Sequence, residues 1–287
     1  MLKYIARILI RIKFKIKLSN RYIHYRLIHQ NFTSFVTMEL FILSFVFLLI
    51  ALFYSSVGFG GGSSYIAILS FILPEFYEIR TMALILNITV VCIGIFFFWR
   101  KQRIVLKEFW PFLVFSIPSA FLGATIPLAE RTFFIILAIL LIAASLSMLA
   151  QVYLKLDKEK NLGLTKKAGL SLGIGFLSGV SGIGGGIFLS PSLNLLSWKN
   201  TKMIAALSSV FILSNSISGI LGLLYSGNFK VDFSLASSLI LAVSIGGILG
   251  SFLTNNKLNI SVVRILTAIL VASVGIRLLI VHFVILA

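Results

Sequence analysis

The sequence is poor in acidic residues and in the side chains that build redox or metal centres. Its 287 residues include eight Asp and Glu, one cysteine and three histidines. A single thiol, Cys92, excludes an internal disulfide and a CxxC redox pair, and packing is its expected role within an apolar run. His24 and His29 lie in a basic tail and His282 lies far away along the chain. The sequence therefore predicts no metal ion, haem or other cofactor.

Charge is also scarce in the long apolar runs. Hydrophobic residues make up 59% of the chain and charged residues 11%, against about a quarter charged in soluble proteins. A charge at the centre of a membrane span costs roughly 2.5–3.5 kcal/mol, and every acidic residue lies at or beside the end of an apolar run: Glu39, Glu75, Glu78, Glu108, Glu130, Asp157, Glu159 and Asp232. We therefore expect an all-α polytopic membrane protein with the lipid bilayer as its main partner.

Ten apolar runs are candidates for membrane helices. A helix needs about 20 residues to cross the hydrocarbon core, and two of the ten are shorter than that. The second and the seventh are these short runs, and each follows directly on a cluster of glycines. The runs are 40–57, 63–73, 81–99, 109–129, 132–153, 165–181, 187–197, 203–225, 233–253 and 260–283.

The net charge of +17 is placed as in membrane proteins, so no nucleic-acid partner is predicted. If all ten runs cross, the connectors 100–108, 154–167, 198–202 and 254–259 share one side and carry net charges of +3, +3, +2 and +1. The connectors on the other side, 74–80, 130–131 and 226–232, carry −1, 0 and 0. By the positive-inside rule the first set is cytoplasmic, in the inner or plasma membrane of the cell.

The N-terminal tail contradicts this topology, because it places eight basic residues and no acid before Met38 on the outer side. Two explanations stay open. In the first, the topology of the N-terminal part differs: either the first two runs form a re-entrant hairpin, or the tail lies on the cytoplasmic surface as a basic amphipathic segment. In the second, which we favour, translation begins at Met38. The predicted organisation is a basic extension at 1–37 that is not necessarily native, a first membrane repeat at 38–153, a cytoplasmic connector at 154–164 and a second repeat at 165–287.

A repeated glycine cluster divides the chain into two halves. Gly58-Phe59-Gly60-Gly61-Gly62 recurs as Gly182-Ile183-Gly184-Gly185-Gly186, 124 residues later. Ala83 through Asn87 then align with Ala205 through Ser209, and Leu122-Gly123-Ala124 with Leu249-Gly250-Ser251. An odd number of crossings in each half would reverse the second half, so we predict an inverted repeat of two roughly five-segment halves with glycine-broken helices.

Consecutive glycines stop a helix, and the next helix then begins with free backbone N–H groups and the positive end of its dipole. Such an end receives an anion without a basic side chain. Close helix packing is the alternative role of glycine in membrane bundles, but packing requires spaced rather than adjacent small residues. Neither cluster is a dinucleotide or P-loop motif, since no soluble strand precedes it and no Gly-Lys-Ser/Thr follows.

The second half contains GIGGGIFLSPSL, AALSS, SNSISGILG, GGILGSFL and VRILTAILVASVGIRLL, and the first half GFGGGSSYIAILSFILP. These segments resemble the sulfite exporter TauE/SafE family, also called the 4-toluene sulfonate uptake permease family, over 38–283. The resemblance implies transport of small sulfur-containing anions such as sulfite, sulfonates or sulfoacetate across the bacterial inner membrane. The chain departs from the family at Leu207-Ser208-Ser209, where a small-Thr-Ser element is common, and this leaves the substrate open.

We expect the binding site for a small anionic substrate between the two clusters. Backbone donors would come from the glycines, and hydroxyl and amide groups would come from polar residues in the apolar runs, although each serine hydroxyl has its own helix carbonyl as an alternative partner. Arg264 and Arg277 either snorkel to the interface, which we favour, or guide anions. The candidate residues are Gly58, Gly60, Gly61, Gly62, Ser63, Ser64, Asn87, Gly182, Gly184, Gly185, Gly186, Ser208, Ser209 and Asn215.

The leading hypothesis is a secondary carrier or facilitator of small anions of the sulfite or organosulfonate type. Proton coupling and passive anion movement both stay open, because no Asp or Glu lies inside a run to relay protons. The alternatives are a carrier for another small anion on the same fold and a non-transporting membrane assembly factor. An enzyme is not expected, since no nucleophile, base and acid come together within the membrane. A homo-oligomer stays open.

Overall fold

The protein is a bundle of helices joined by short connections. The computed structural model describes residues 22–101, 103–153, 160–253 and 260–281. In these ranges there are ten helices and no strand, so the prediction of an all-α polytopic protein is confirmed. The helices are α1 (Tyr22–Ser56), α2 (Gly62–Leu69), α3 (Phe76–Arg100), α4 (Leu106–Thr125), α5 (Glu130–Tyr153), α6 (Leu164–Ser181), α7 (Gly186–Leu195), α8 (Thr201–Tyr225), α9 (Phe233–Leu253) and α10 (Ile260–Leu279).

Helix length separates full membrane spans from shorter helices. By length and composition, five described helices are able to cross a membrane: Met38–Ser56, Phe76–Arg100, Glu130–Gln151, Thr201–Tyr225 and Phe233–Leu253. α2 and α7 have 8 and 10 residues, which at 1.5 Å per residue is about 12 and 15 Å. Neither spans a hydrocarbon core of about 30 Å. The two helices that follow the glycine clusters are therefore half-length.

The first short helix folds back beside α1. The ring of Tyr65 in α2 stacks on the ring of Phe47 in α1, with the centroids 5.0 Å apart. A chain that continued in the direction of α1 would carry Tyr65 away from Phe47, so α1 and α2 form a hairpin. α1 begins at Tyr22, within the predicted extension, and residues 1–21 of that extension lie outside the described ranges. A translation start at Met38 stays a prediction.

Polar contacts group the connectors at the two ends of the bundle. At one end, the basic end, the N–H of Lys160 donates to the carbonyl of Ser197 at 2.7 Å, and Glu108 pairs with Lys167 at 3.2 Å. At the opposite end Lys230 pairs with Glu75 at 2.9 Å, and this bond raises the pKa of the Lys230 amine. The grouping agrees with the predicted alternation of connectors. Which end faces the cytoplasm stays a prediction.

The helices of the two halves make corresponding contacts. α4 packs on α6 as α9 packs on α1, α5 packs on α7 as α10 packs on α2, and α3 packs on its counterpart α8. A Cβ at Gly123 would meet the carbonyl oxygen of Phe176, and a Cβ at Gly250 would meet that of Leu52. These contacts agree with the predicted equivalence of the segments around Gly123 and Gly250. The opposite orientation of the halves stays a prediction.

The outer surface of the bundle is apolar, as a lipid-facing surface requires. Phe41, Trp99 and Leu241 are 73%, 67% and 68% exposed. Cys92 is also exposed on α3, so the prediction that it packs in the interior is wrong. The reason is that an apolar run in a membrane protein has a lipid-facing side as well as a packed side.

Candidate functional site

The first glycine cluster forms a tight turn between α1 and α2. Gly58 and Gly61 have φ angles of 83° and 96°, a region where a residue with a side chain costs about 1–2 kcal/mol. A Cβ at Gly58 would lie 2.7 Å from the carbonyl oxygen of Ala205 in α8. The turn therefore requires glycine both for its backbone conformation and for its contact with the second half of the chain.

Asn87 in α3 secures this first turn. Its Oδ1 accepts a hydrogen bond from the N–H of Gly62 at 2.8 Å, and its Nδ2 has no partner within the described part of the chain. The predicted role of Gly62 as a free backbone donor is wrong, because its N–H is bound to Asn87. The N–H groups of Gly60 and Gly61 form no hydrogen bond with the described residues.

Tyr54 in α1 binds the two serines that open α2. Its hydroxyl lies 2.9 Å from the Oγ atoms of both Ser63 and Ser64, and all three side chains are buried. The two serines therefore reach the turn as predicted, with their hydroxyl groups engaged by a tyrosine. The sequence offered one signal for Tyr54, namely a phenol near the end of an apolar run.

The second glycine cluster forms the corresponding turn between α6 and α7. Gly182, Gly184 and Gly185 have φ angles of 67°, 77° and 78°. The N–H groups of Gly184, Gly185 and Gly186 form no hydrogen bond with the described residues. They lie in the turn and at the start of α7, the kind of position at which proteins use successive backbone amides to bind anions.

The turns also reveal which residues are equivalent in the two halves. Gly60 and Gly62 lie against Asn87, whereas Gly184 and Gly186 lie against Ile212 in α8. Ile212 is therefore the counterpart of Asn87, and the predicted alignment of Asn87 with Ser209 is wrong by nearly one helical turn. The amide that holds the first turn has an apolar replacement at the second.

Three predicted polar residues of α8 are buried, and two of them lie against a glycine cluster: Ser209 at the first, and Ser208, through its carbonyl oxygen 3.4 Å from the Cβ position of Gly186, at the second. Ser209 Oγ donates to the carbonyl of Gly58 at 3.0 Å and lies 3.1 Å from that of Ala205 in its own helix. Neither the Ser208 hydroxyl nor the Asn215 amide finds a partner among the residues the structure describes. Asn215 directly precedes Ser216, whose Oγ would lie 3.0 Å from a Cβ at Gly184.

Residues from both turns line one small pocket, which we call the turn pocket. Its volume is about 10 Å³, close to the room that one water needs. None of its lining residues is acidic or basic. They are Tyr54, Phe59, Gly60, Gly61, Gly62, Ser63, Ile183, Ile187 and Ile212. The two interruptions of the helices therefore meet inside the bundle.

Comparison with known proteins identifies the family. The family model described as Sulfite exporter TauE/SafE matches residues 43–278. The chain belongs to the TauE/SafE family. It is 32% identical over 184 residues to the "Probable membrane transporter protein y4hK" of Sinorhizobium fredii, a match that covers 63% of this chain and 74% of the relative. No solved structure matches. The resemblance stated from the sequence is confirmed, and the chain is a multi-pass membrane transporter.

A second cavity of this TauE/SafE chain opens near the basic end, and we call it the basic cavity. Its volume is about 30 Å³. Three basic side chains and several polar ones line it, and Arg264, for which snorkelling was favoured, is one of them. Phe59 lines both this cavity and the turn pocket. The lining residues are Ser56, Val57, Phe59, Phe98, Arg103, Met148, Gln151, Ser190, Pro191, Thr201, Lys202, Ala205 and Arg264.

The prediction from sequence missed Arg80, a buried basic residue of this TauE/SafE chain. It was assigned to the connector 74–80, but α3 begins at Phe76 and includes it. The side chain is 1% exposed, and its Cγ and Nε lie 3.6 Å from where a Cβ at Gly182 would be. Because Ile212 corresponds to Asn87, the counterpart of Arg80 in α8 is Ala205. A correct alignment of α3 with α8 would have identified this unmatched charge from the sequence.

Proposed function

We propose that this TauE/SafE protein is a secondary carrier or facilitator of small anions of the sulfite or organosulfonate type, with its binding site at the two glycine turns. The observation that carries the proposal is the turn pocket, where both turns meet and where backbone N–H groups that form no hydrogen bond with any described residue lie close by. The family name points to the same substrate class.

The chemistry of the pocket suits an anion better than a cation. Among its lining residues, the N–H groups of Gly60 and Gly61 are free of hydrogen bonds to described residues. The N–H groups of Gly184 and Gly185, which are also free of such bonds, follow the lining residue Ile183 along the second turn, and the short helices α2 and α7 start with their positive ends at the turns. None of the lining residues is a carboxylate that would attract a cation. An oxyanion would replace its lost hydration with these amide donors.

The size of the pocket requires movement during transport. With room for about one water, it is too small for a hydrated oxyanion in this conformation. The first glycine of each turn packs on the half that does not contain it, Gly58 on Ala205 and Gly182 on Arg80. A shift of one half against the other would therefore widen or close the pocket, as alternating access requires.

The test is flux of labelled sulfite, sulfate, thiosulfate and taurine in proteoliposomes with wild type, Gly61→Val and Gly185→Val. A Cβ at Gly61 would lie 2.7 Å from the Tyr65 ring, and one at Gly185 would lie 3.0 Å from Phe211. Gly227→Val is the matched control, since Gly227 also has a positive φ, 70°, but nothing within 4 Å of its Cβ position. Thermal unfolding verifies that each variant is folded.

We expect selective anion flux in wild type and in Gly227→Val, and loss of flux in both turn variants. Equal flux in all four proteins would remove the turns from the mechanism. If folded wild type moves none of the anions, the carrier proposal fails and the assembly-factor alternative gains weight.

A further inference from the structure

Arg80 is a buried arginine that has no ionic partner among the residues the structure describes. Its Nη2 donates to the carbonyl of Gly179 at 2.9 Å, while Nε and Nη1 have no hydrogen-bond partner in the described ranges. The salt bridges formed by described residues involve Glu75 and Glu108, not Arg80. A buried charge without a counter-ion is expensive, and such charges in membrane proteins generally serve function.

Aromatic rings cover the guanidinium but do not use its N–H groups. The central carbon of the guanidinium lies 5.5 Å from the ring centres of both Phe76 and Phe133. Cation–π contacts of this kind stabilise the charge through the faces of the rings. The N–H bonds lie in the guanidinium plane and point outward from its edge, so those of Nε and Nη1 stay available to an acceptor.

Arg80 also has a structural role that must be separated from ligand binding. The carbonyl of Gly179 belongs to the last turn of α6, and a basic side chain at a helix C-terminus satisfies such carbonyls and complements the dipole. This capping contact uses Nη2 alone. It leaves the Nε and Nη1 donors unexplained.

The position of Arg80 links it to the second glycine turn. Its Nε lies 3.6 Å from the Cβ position of Gly182, the residue that begins this turn. At the equivalent place in the other half, Ala205 lies against Gly58. The two turns therefore differ, with an amide at the first and a positive charge at the second.

We propose that Arg80 and the free backbone amides of the second glycine turn bind the charged group of the transported anion, so that the substrate is held at the second turn. This inference rests on the proposed function. The preferred ligand carries two or more oxygens on one centre, as in sulfite, sulfate, a sulfonate or a carboxylate, because the planar guanidinium binds two such oxygens at once.

The experiment measures anion binding and transport in wild type, Arg80→Gln, Arg80→Lys and Arg277→Gln. Binding is read from the rise in melting temperature with sulfite, sulfate or taurine, and transport from KM and maximal rate in proteoliposomes. Arg277 is the matched control: it is exposed, and its guanidinium lies 3.8 Å from the ring centre of Phe71. The Arg277→Gln substitution therefore removes one positive charge, as Arg80→Gln does, from a residue outside the second glycine turn.

We expect Arg80→Gln to weaken anion binding by about 30-fold or more, as for loss of one partner of a buried charge pair, with KM raised accordingly. Arg80→Lys retains the charge without the planar fork and should lie between wild type and Arg80→Gln. It also provides the measurement if Arg80→Gln does not fold. Arg277→Gln should bind like wild type.

Two results would overturn the inference while leaving the carrier proposal intact. In the first, Arg80→Gln melts at a lower temperature but keeps the wild-type anion shift and KM, so that Arg80 only caps α6. In the second, Arg277→Gln weakens binding as much as Arg80→Gln, so that the effect is one of overall charge. Absence of any anion shift or flux in wild type would instead reject the proposed function itself.

Discussion

The side-chain oxygen of Asn87 accepts the N–H of Gly62 across 2.8 Å and thereby joins α3 to the start of α2. This bond fixes the first glycine turn from the side, whereas at the equivalent position of the second turn the apolar side chain of Ile212 lies against Gly184 and Gly186. The two halves thus share the backbone conformation of the glycine turn and differ in the side chains that contact it.

Asn87→Leu should destabilise the protein by about 1–3 kcal/mol, because it leaves the buried N–H of Gly62 without an acceptor. Thr89→Val on the same helix is the control, since the Thr89 hydroxyl donates only to the carbonyl of Ile85 in its own helix; its effect should stay within about 0.5 kcal/mol. Thermal unfolding in detergent gives the comparison. Equal melting temperatures for the two variants would argue against a special role for Asn87.

Two glycines of α6 should respond in opposite directions to alanine. Gly175→Ala places a Cβ 2.7 Å from the backbone of Ser116 in α4 and should destabilise by about 1–3 kcal/mol through overpacking. Gly173 has nothing within 4 Å of its Cβ position, so Gly173→Ala should stabilise by roughly 0.5–1 kcal/mol. Melting temperatures check the signs. A stable Gly175→Ala variant would mean that α4 and α6 are not closely packed there.

Phe59→Ala should connect the turn pocket with the basic cavity, because Phe59 lines both and the substitution removes its side chain. The readout is the rate at which a water-soluble thiol reagent modifies Ser63→Cys, in a Cys92→Ala background that removes the exposed native thiol. Phe98→Ala, which alters the basic cavity alone, is the control for loss of a buried ring. We expect faster labelling with Phe59→Ala than with Phe98→Ala, and equal rates would show that Phe59 is not the barrier.

Lys202 and Arg264 should attract anions to the basic cavity that they line. The double variant Lys202→Gln with Arg264→Gln should slow anion flux by about tenfold at low ionic strength. The difference should shrink near 0.15 M salt, where the Debye length is about 8 Å. Lys166→Gln is the control, because Lys166 is exposed near the same end without lining the cavity. A defect that does not change with salt would indicate a contact role rather than attraction.

The hydrophobic runs and the paired glycine clusters were enough to predict the ten helices of the described ranges and the places where they break. The length of an apolar run and a series of consecutive glycines affect only the local backbone, so both can be identified from the sequence itself. The register of α8 against α3 could not be predicted, because both helices are apolar over most of their length and many alignments of such runs fit equally well. For this reason Ser209 was matched to Asn87 in place of Ile212, and Arg80 was left in a connector.

Local chemistry decided that this chain enters a membrane, that it is helical, and that its helices stop at Gly58 and Gly182, since burial of apolar surface and backbone freedom depend on residues close together. The partners of each polar group depended on the packing of distant segments. Only that packing placed Asn87 on Gly62, Tyr54 on Ser63 and Arg80 beside Gly182. Nothing in the sequence around these residues indicates that they contact each other.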